Sequence, residues 1–206
     1  MQDNMNRCRR WWLRGTLLGV LSAALGLFTA CNAESEFSSD PCYLLYHNAY
    51  YLDQTLAESM NPNARGIFCH ISESQEGGYI YLNFRNTNGQ SSRQRETALE
   101  TKTRFVLGLN NGIIVGFQSL NETPNGGFVA YDEQCPNCVR KHNSAYSPKY
   151  RLTTDGSGIA TCSVCGKRYN MNNRGIILNP EENDVNLKQY IATTTGPQGD
   201  LFVHNQ

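Results

Sequence analysis

Four cysteines arranged as Cys135-Pro-Asn-Cys138 and Cys162-Ser-Val-Cys165 constrain this chain more than any other feature. Two CxxC pairs about two dozen residues apart can converge on one ion, so the chain around them has to fold back on itself. In each pair the backbone amides after the first cysteine are expected to turn toward its sulfur and stabilise a thiolate. Gly166, directly after the second pair, supplies the flexible position such a knuckle favours. Val139 follows the first pair, so that knuckle has to tolerate a side chain. Four thiolates suit tetrahedral zinc, a mononuclear iron or an all-cysteine iron–sulfur cluster such as 2Fe-2S. Zinc is favoured, because it needs no assembly machinery outside the cytoplasm and a closed four-thiolate site leaves no vacant position for catalysis. Two other fates stay open: closure of each CxxC as a disulfide in an oxidising compartment, and thiol–disulfide chemistry at Cys135 and Cys138. The second normally requires the motif to open a helix, whereas Tyr131 to Cys138 reads as a strand entering a loop.

The other end of the chain bears on where it works. Arg7, Arg9, Arg10 and Arg14 form a basic start, and residues 15–30 are uncharged, rich in Leu and Ala, and end at small residues. This pattern predicts a secretory signal over residues 1–30. The apolar run is shorter than the ~20 residues that span a bilayer comfortably. It closes with Phe28-Thr29-Ala30-Cys31, which resembles a bacterial lipobox with Phe28 in place of Leu. The resemblance implies that Cys31 becomes the first mature residue and carries acyl chains such as palmitate, which anchor the protein to a membrane. Asn32 after it favours the outer membrane of the cell envelope, on either its periplasmic or surface face. A cleaved, freely secreted product and an uncleaved anchor are the alternatives.

Loss of the leader changes the charge balance. The whole chain carries eighteen basic and eighteen acidic side chains; the leader takes four Arg and Asp3, leaving fourteen against seventeen. No basic tract remains to attract a phosphate backbone, which argues against nucleic acid as a partner. Both tryptophans, Trp11 and Trp12, leave with the leader, so aromatic burial falls to Tyr and Phe. What remains fits a single domain over residues 41–206, preceded by a polar tether over residues 31–40.

Within that domain the pattern is all-β. Tyr79 to Phe84, Phe105 to Leu109, Ile113 to Phe117 and Phe128 to Tyr131 are short aromatic and aliphatic runs, and Asn111-Gly112 offers a hairpin turn between the second and third. Leu52, Leu56 and Met60 recur at helical spacing after Asp53 and before Pro62, which predicts one short helix. Asn86 to Leu99 is polar and reads as a surface excursion.

The segment Cys162-Ser-Val-Cys165-Gly-Lys-Arg-Tyr169, with Gly175, Asn179-Pro180, Leu187, Tyr190 and a closing Gly-Asp-Leu-Phe-Val, resembles the C-terminal half of a Rieske domain. Phe128-Val-Ala-Tyr131-Asp-x-x-Cys135 resembles the strand that delivers that family's first cysteine. The likeness spans roughly residues 104–203. It implies an antiparallel β-sandwich with a small metal-binding subdomain formed by two loops, placed at about residues 132–170. Rieske centres hold a two-iron, two-sulfur cluster with two Cys and two His. Here Cys165 stands at the second His position and Asn137 at the first, so only Cys135 and Cys162 carry over as family ligands. Cys138 and Cys165 are assigned by the CxxC geometry itself.

Three further features admit two readings each. Cys42 and Cys69 lie outside the motif region, and a disulfide between them would tie the helical segment to the first strand. His142 either approaches the metal or is a solvated loop histidine beside Arg140 and Lys141. Tyr43, Tyr46, Tyr50 and Tyr51 either bind a glycan or partner or stabilise a core that lacks Trp. No acid–base pair, nucleophile elbow or phosphate-binding glycine loop is present to suggest an enzyme. The expectation is an exported, lipid-anchored protein with structural zinc that acts as an envelope binding or assembly module. The alternative is an iron-based electron carrier with a redox partner.

Overall fold

Strands in the middle of this chain are buried on both faces, and that decides the architecture. The computed structural model describes residues 35–97, 104–120, 127–143 and 147–205. The predicted leader, residues 1–30, and Cys31 lie outside the described residues. In chain order the elements are β1 (Cys42–His47), α1 (Asn48–Tyr51), α2 (Gln54–Ser59), β2 (Phe68–Glu76), β3 (Tyr79–Asn86), β4 (Ser91–Arg95) and β5 (Val106–Leu107). Then come β6 (Gly112–Phe117), β7 (Phe128–Asp132), α3 (Pro136–His142), β8 (Leu152–Thr154), β9 (Ile159–Cys162), β10 (Arg168–Asn170), β11 (Ile176–Ile177), β12 (Gln189–Thr194) and β13 (Asp200–His204).

Nine strands form one antiparallel sheet in the order β4-β3-β2-β6-β7-β12-β13-β1-β5, and four form a second in the order β11-β10-β9-β8. Side chains from both ends of the large sheet share one core: Leu82 and Phe84 of β3 with Leu44 and Tyr46 of β1, joined by Cys69, Ile71, Val115, Ala130 and Leu201. Burying them together requires the sheet to curl, and β5 returns to contact β2. The predicted all-β class therefore holds.

The alternate residues of the central strands point the other way. Phe68, Ile114, Val129 and Tyr131 lie outside the curl and pack with Leu152, Ala160, Tyr169, Met171 and Leu187. This second core sits between β2, β6 and β7 and the small sheet. Because both faces are covered, β6 reads Gly-Ile-Ile-Val-Gly-Phe with every residue buried rather than alternating.

The short helix forms over Gln54–Ser59 with Leu56 and Met60 buried, but Leu52 lies before it, ending α1 at φ 52 with its side chain exposed. Asp53 is the N-cap of α2 and accepts a hydrogen bond from the Leu56 amide at 3.0 Å, worth about 1 kcal/mol. Asp53 also accepts from Ser92 Oγ at 2.9 Å and Gln94 Nε2 at 3.2 Å. Those bonds order residues 91–95 as an edge strand, β4: the stretch lies at the surface as expected but is regular. Its alternate polar residues turn toward a buried carboxylate instead of an apolar core.

Three more expectations need correction. Asn111-Gly112 does turn the chain, with Asn111 at φ 52, but the strands it separates are not partners. β5 pairs with β1, and β6 pairs with β2 and β7. The supposed tether is fastened from Ser35 onward: Phe37 bridges to Gln189, Gln189 N donates to Glu36 O at 3.0 Å, and Arg174 Nε donates to Glu36 Oε1 at 3.0 Å. Backbone pairing beside β12 overrides the polar composition of that stretch. The third is the first CxxC, which opens a helix, α3, rather than a loop.

The paired readings also separate. Cys42 and Cys69 are both buried, free thiols. Tyr46 is buried and stacks on Tyr51 at 5.1 Å, while Tyr43 and Tyr50 are exposed, so the tyrosines do not form one cluster.

Candidate metal centre

The second sheet and α3 form an excursion between β7 and β12, two strands that pair with each other at Tyr131–Gln189 and Ala130–Tyr190. β7 delivers the first cysteine pair. Cys135 is the N-cap of α3, in extended conformation, with Pro136 at the first helical position where its missing N–H costs nothing. The Cys138 amide donates to Cys135 Sγ. The helix resolves how this knuckle tolerates Val139: the residue is helical, with its amide bonded to Cys135 O at 3.1 Å. The second pair closes the β9–β10 turn. Cys162 ends β9, and its sulfur accepts from the Val164 and Cys165 amides. Gly166 follows at φ +69 and donates to Cys162 O at 2.9 Å, a left-handed turn that needs glycine.

The two knuckles meet. The sulfurs of Cys135, Cys138, Cys162 and Cys165 lie within 4.8 Å of one another, so the four are positioned to hold a metal ion. Cys135 Sγ lies 3.6 Å from Cys165 Sγ, and Cys138 Sγ lies 3.6 Å from Cys162 Sγ. Cys135, Cys138 and Cys162 are buried and Cys165 is exposed. All four predicted ligands are brought together. His142 is not among them: it ends α3 and stacks on Tyr150 at 5.5 Å.

The electrostatics of the four sulfurs suit a cation. Cys162 is pushed down to about 5 by the hydrogen bond from Cys135 and by its two backbone donors. Cys135 is pushed up by facing Cys162 and by burial, and Cys138 is pushed up to about 12 by burial and then its sulfur neighbours. One thiolate is favoured, and each further one is opposed by the first unless positive charge offsets it.

A layer of side chains outside the four sulfurs orients them. Asn137 Nδ2 donates to Tyr169 Oη at 2.8 Å, which leaves the phenol O–H to point at Cys135 Sγ, 3.2 Å away. Asn137 also donates to Val185 O and accepts from Val185 N, both at 2.9 Å. Lys167, buried beside the second knuckle, reaches Asp184 at 2.7 Å and Glu181 at 3.2 Å. These bonds fasten residues 181–185 against the site, so the subdomain extends past residue 170. The sequence marks Tyr169 only as part of the Rieske-like segment and gives no sign that its hydroxyl touches Cys135 Sγ while Asn137 holds that hydroxyl. Hydrogen bonds across 32 and 48 residues leave no spacing signal.

Thiol–disulfide exchange is poorly served here even though the first CxxC opens a helix. The exchanging sulfur would be Cys135, which is buried and held away from its thiolate form. No protein-family model, curated protein or solved structure matches this chain.

Proposed function

We propose that this chain is an exported, lipid-anchored, Rieske-like protein whose four cysteines hold one structural zinc in an envelope binding or assembly module. The convergence of all four sulfurs within 4.8 Å carries this reading. A tetrahedral ion with metal–sulfur bonds of about 2.3 Å has sulfurs about 3.8 Å apart, close to the 3.6 Å pairs here. A two-iron cluster would separate the sulfurs on one iron from those on the other by the width of the cluster. When bound, zinc would neutralise the thiolates and crosslink α3 to the β9–β10 turn. Supporting a Rieske-like origin, the site lies on an excursion between two neighbouring strands of a larger β-sheet, and the strand β7 leads into the first cysteine.

A second reading, a mononuclear iron that carries electrons, is favoured by one observation. Cys165 is exposed and Val164 beside it is 47% exposed, an arrangement through which a redox partner reaches a ligand sulfur. Elemental analysis with an absorption spectrum on anaerobically purified protein separates the two. About one zinc per chain and no visible bands is expected; iron with charge-transfer bands that bleach on reduction would replace the zinc reading. Acid-labile sulfide would identify a cluster. Acylation of Cys31 is checked by mass spectrometry of the mature protein, and an unmodified N-terminus would remove the anchor.

A further inference from the structure

Between the two sheets lies a cleft of about 800 Å³. One wall is the outward side of β3 and β4, with Arg85 and Arg93; the other is the chain entering β8, with Lys149 and Arg151. His70 and Glu133, both buried, line its floor. His70 Nδ1 is 2.6 Å from Glu133 Oε1 and its Nε2 is 2.8 Å from Thr154 Oγ1. Both ring nitrogens are therefore engaged, and the imidazole ties β2 to β8. The carboxylate fits because position 112 is glycine: a Cβ there would overlap Glu133 Oε2.

The charges around this cleft do not balance. Glu133 pairs with Arg151 at 3.2 Å, and Glu76 pairs with Arg93 at 2.6 Å. Arg85 and Lys149 are exposed and have no carboxylate partner among the described residues. Arg151 Nε is buried without an acceptor. The part of the chain after the leader has an acidic excess, fourteen basic against seventeen acidic residues, yet four of those cations gather around one space. Like charges held together repel until an anion enters, and a focused positive cleft raises the local concentration of anions. Ser72, Asn83 and Thr153 also line the cleft.

Resting on the binding-module reading and giving it a ligand class, we propose that this cleft binds a polar ligand bearing oxyanions. Its carboxylate, sulfate or phosphate groups are received by Arg85, Lys149 and Arg151. Ser163, inside the second knuckle, lines the same cleft, so the metal-held subdomain is one of its walls.

The test is calorimetric titration of the full-length, detergent-solubilised protein with citrate, inorganic phosphate and a sulfated tetrasaccharide, with metal content measured on the same sample. At least one probe is expected to bind, more weakly at high salt. Arg85→Ala and Lys149→Ala should each weaken binding about tenfold or more, as loss of a charge-assisted contact does. Arg174→Ala, which removes a cation paired with Glu36 outside the cleft, should leave binding unchanged. Binding of citrate or phosphate assigns the site to the oxyanion itself; binding of the saccharide alone assigns it to an extended acidic ligand. No binding of any probe to metal-replete protein overturns the proposal, as does an equal loss in Arg174→Ala. Binding in a sample measured to contain no metal upholds the cleft and fails the metal reading.

Discussion

The two cores of this protein use cysteine in opposite ways. Inside the curled sheet, Cys42 and Cys69 sit among Leu, Ile, Phe and Tyr as small apolar side chains. Burial pushes the Cys42 thiol up to about 12 and raises Cys69 as well, so neither ionises under ordinary conditions. Outside the sheet, Cys135, Cys138 and Cys162 are equally buried but face one another, backbone amides and the Tyr169 hydroxyl. The inner core draws side chains from strands and a helix along the whole sheet, whereas the outer core is covered by strands of two to four residues. A region built from such short strands buries little per residue, so a metal crosslink there would add what packing does not. Burial alone makes a cysteine inert; burial beside fixed donors and other sulfurs positions it to be a ligand.

The strongest way to break this comparison is to remove the ligands. Cys162→Ser, or Cys165→Ser, is expected to abolish metal binding and destabilise the outer core by several kcal/mol, on the order of a structural zinc contribution. Hydrogen exchange should show loss of protection in β8–β10 and α3 before β2 and β3. Uniform loss across both sheets would mean that the cores are one cooperative unit, and full metal occupancy in either variant would refute the ligand set.

A gentler change sharpens the role of the outer layer. Tyr169→Phe deletes the O–H donor to Cys135 while keeping the ring, and metal affinity should fall roughly 10- to 100-fold. Competition with a chelator measures it, and unchanged affinity would reduce Tyr169 to packing. In the inner core, Cys69→Ala should cost about 1–2 kcal/mol through the small cavity it leaves, with metal content untouched. Thiol counting joins the two predictions. Chelation should release four reactive thiols in the folded body, and denaturation should add Cys42 and Cys69 if they are free as they are here. No further thiols on denaturation would mean that the two are bridged.

The smallest effect is a pH dependence. Asp132 is buried and accepts from Tyr190 Oη at 2.7 Å and Leu109 N at 2.9 Å, and burial pushes it up to about 6 from an ordinary 3.8. The folded state therefore binds this proton more tightly than the unfolded one. Its stabilising contribution is complete below about 3.8 and is lost as pH rises through about 6. Denaturant titrations of the wild type and Asp132→Asn across that window should differ in slope, the variant lacking this component. Equal slopes would mean that Asp132 titrates alike in both states.

How much of this was legible in the sequence follows the range of the interactions. The CxxC spacing, Asp53 ahead of Leu56 and Met60, and the apolar runs of β3, β6 and β7 are local signals. Each led to the right element. The helix α3 is not legible because Pro136 to His142 has no apolar stripe, and the strand-like run before it makes Tyr131 to Cys138 read as a strand entering a loop. β4 was missed because its inward partner is the Asp53 carboxylate, so an all-polar strand is stable there. The His70–Glu133 contact joins residues 63 apart through a register set by whole sheets, and no motif carries that information.

The excursion that carries the four cysteines leaves the large sheet at Tyr131 and rejoins it at Gln189, two residues that face each other in the ladder. In chain geometry it is a detachable module: a short turn could replace it without moving either strand. Its removal would nonetheless bare Phe68, Ile114, Val129 and Tyr131 on three adjacent strands, an apolar sheet face open to solvent and to other copies. Exchange of one insert for another would therefore leave the backbone of the sheet in place but would need a replacement that brings its own apolar underside.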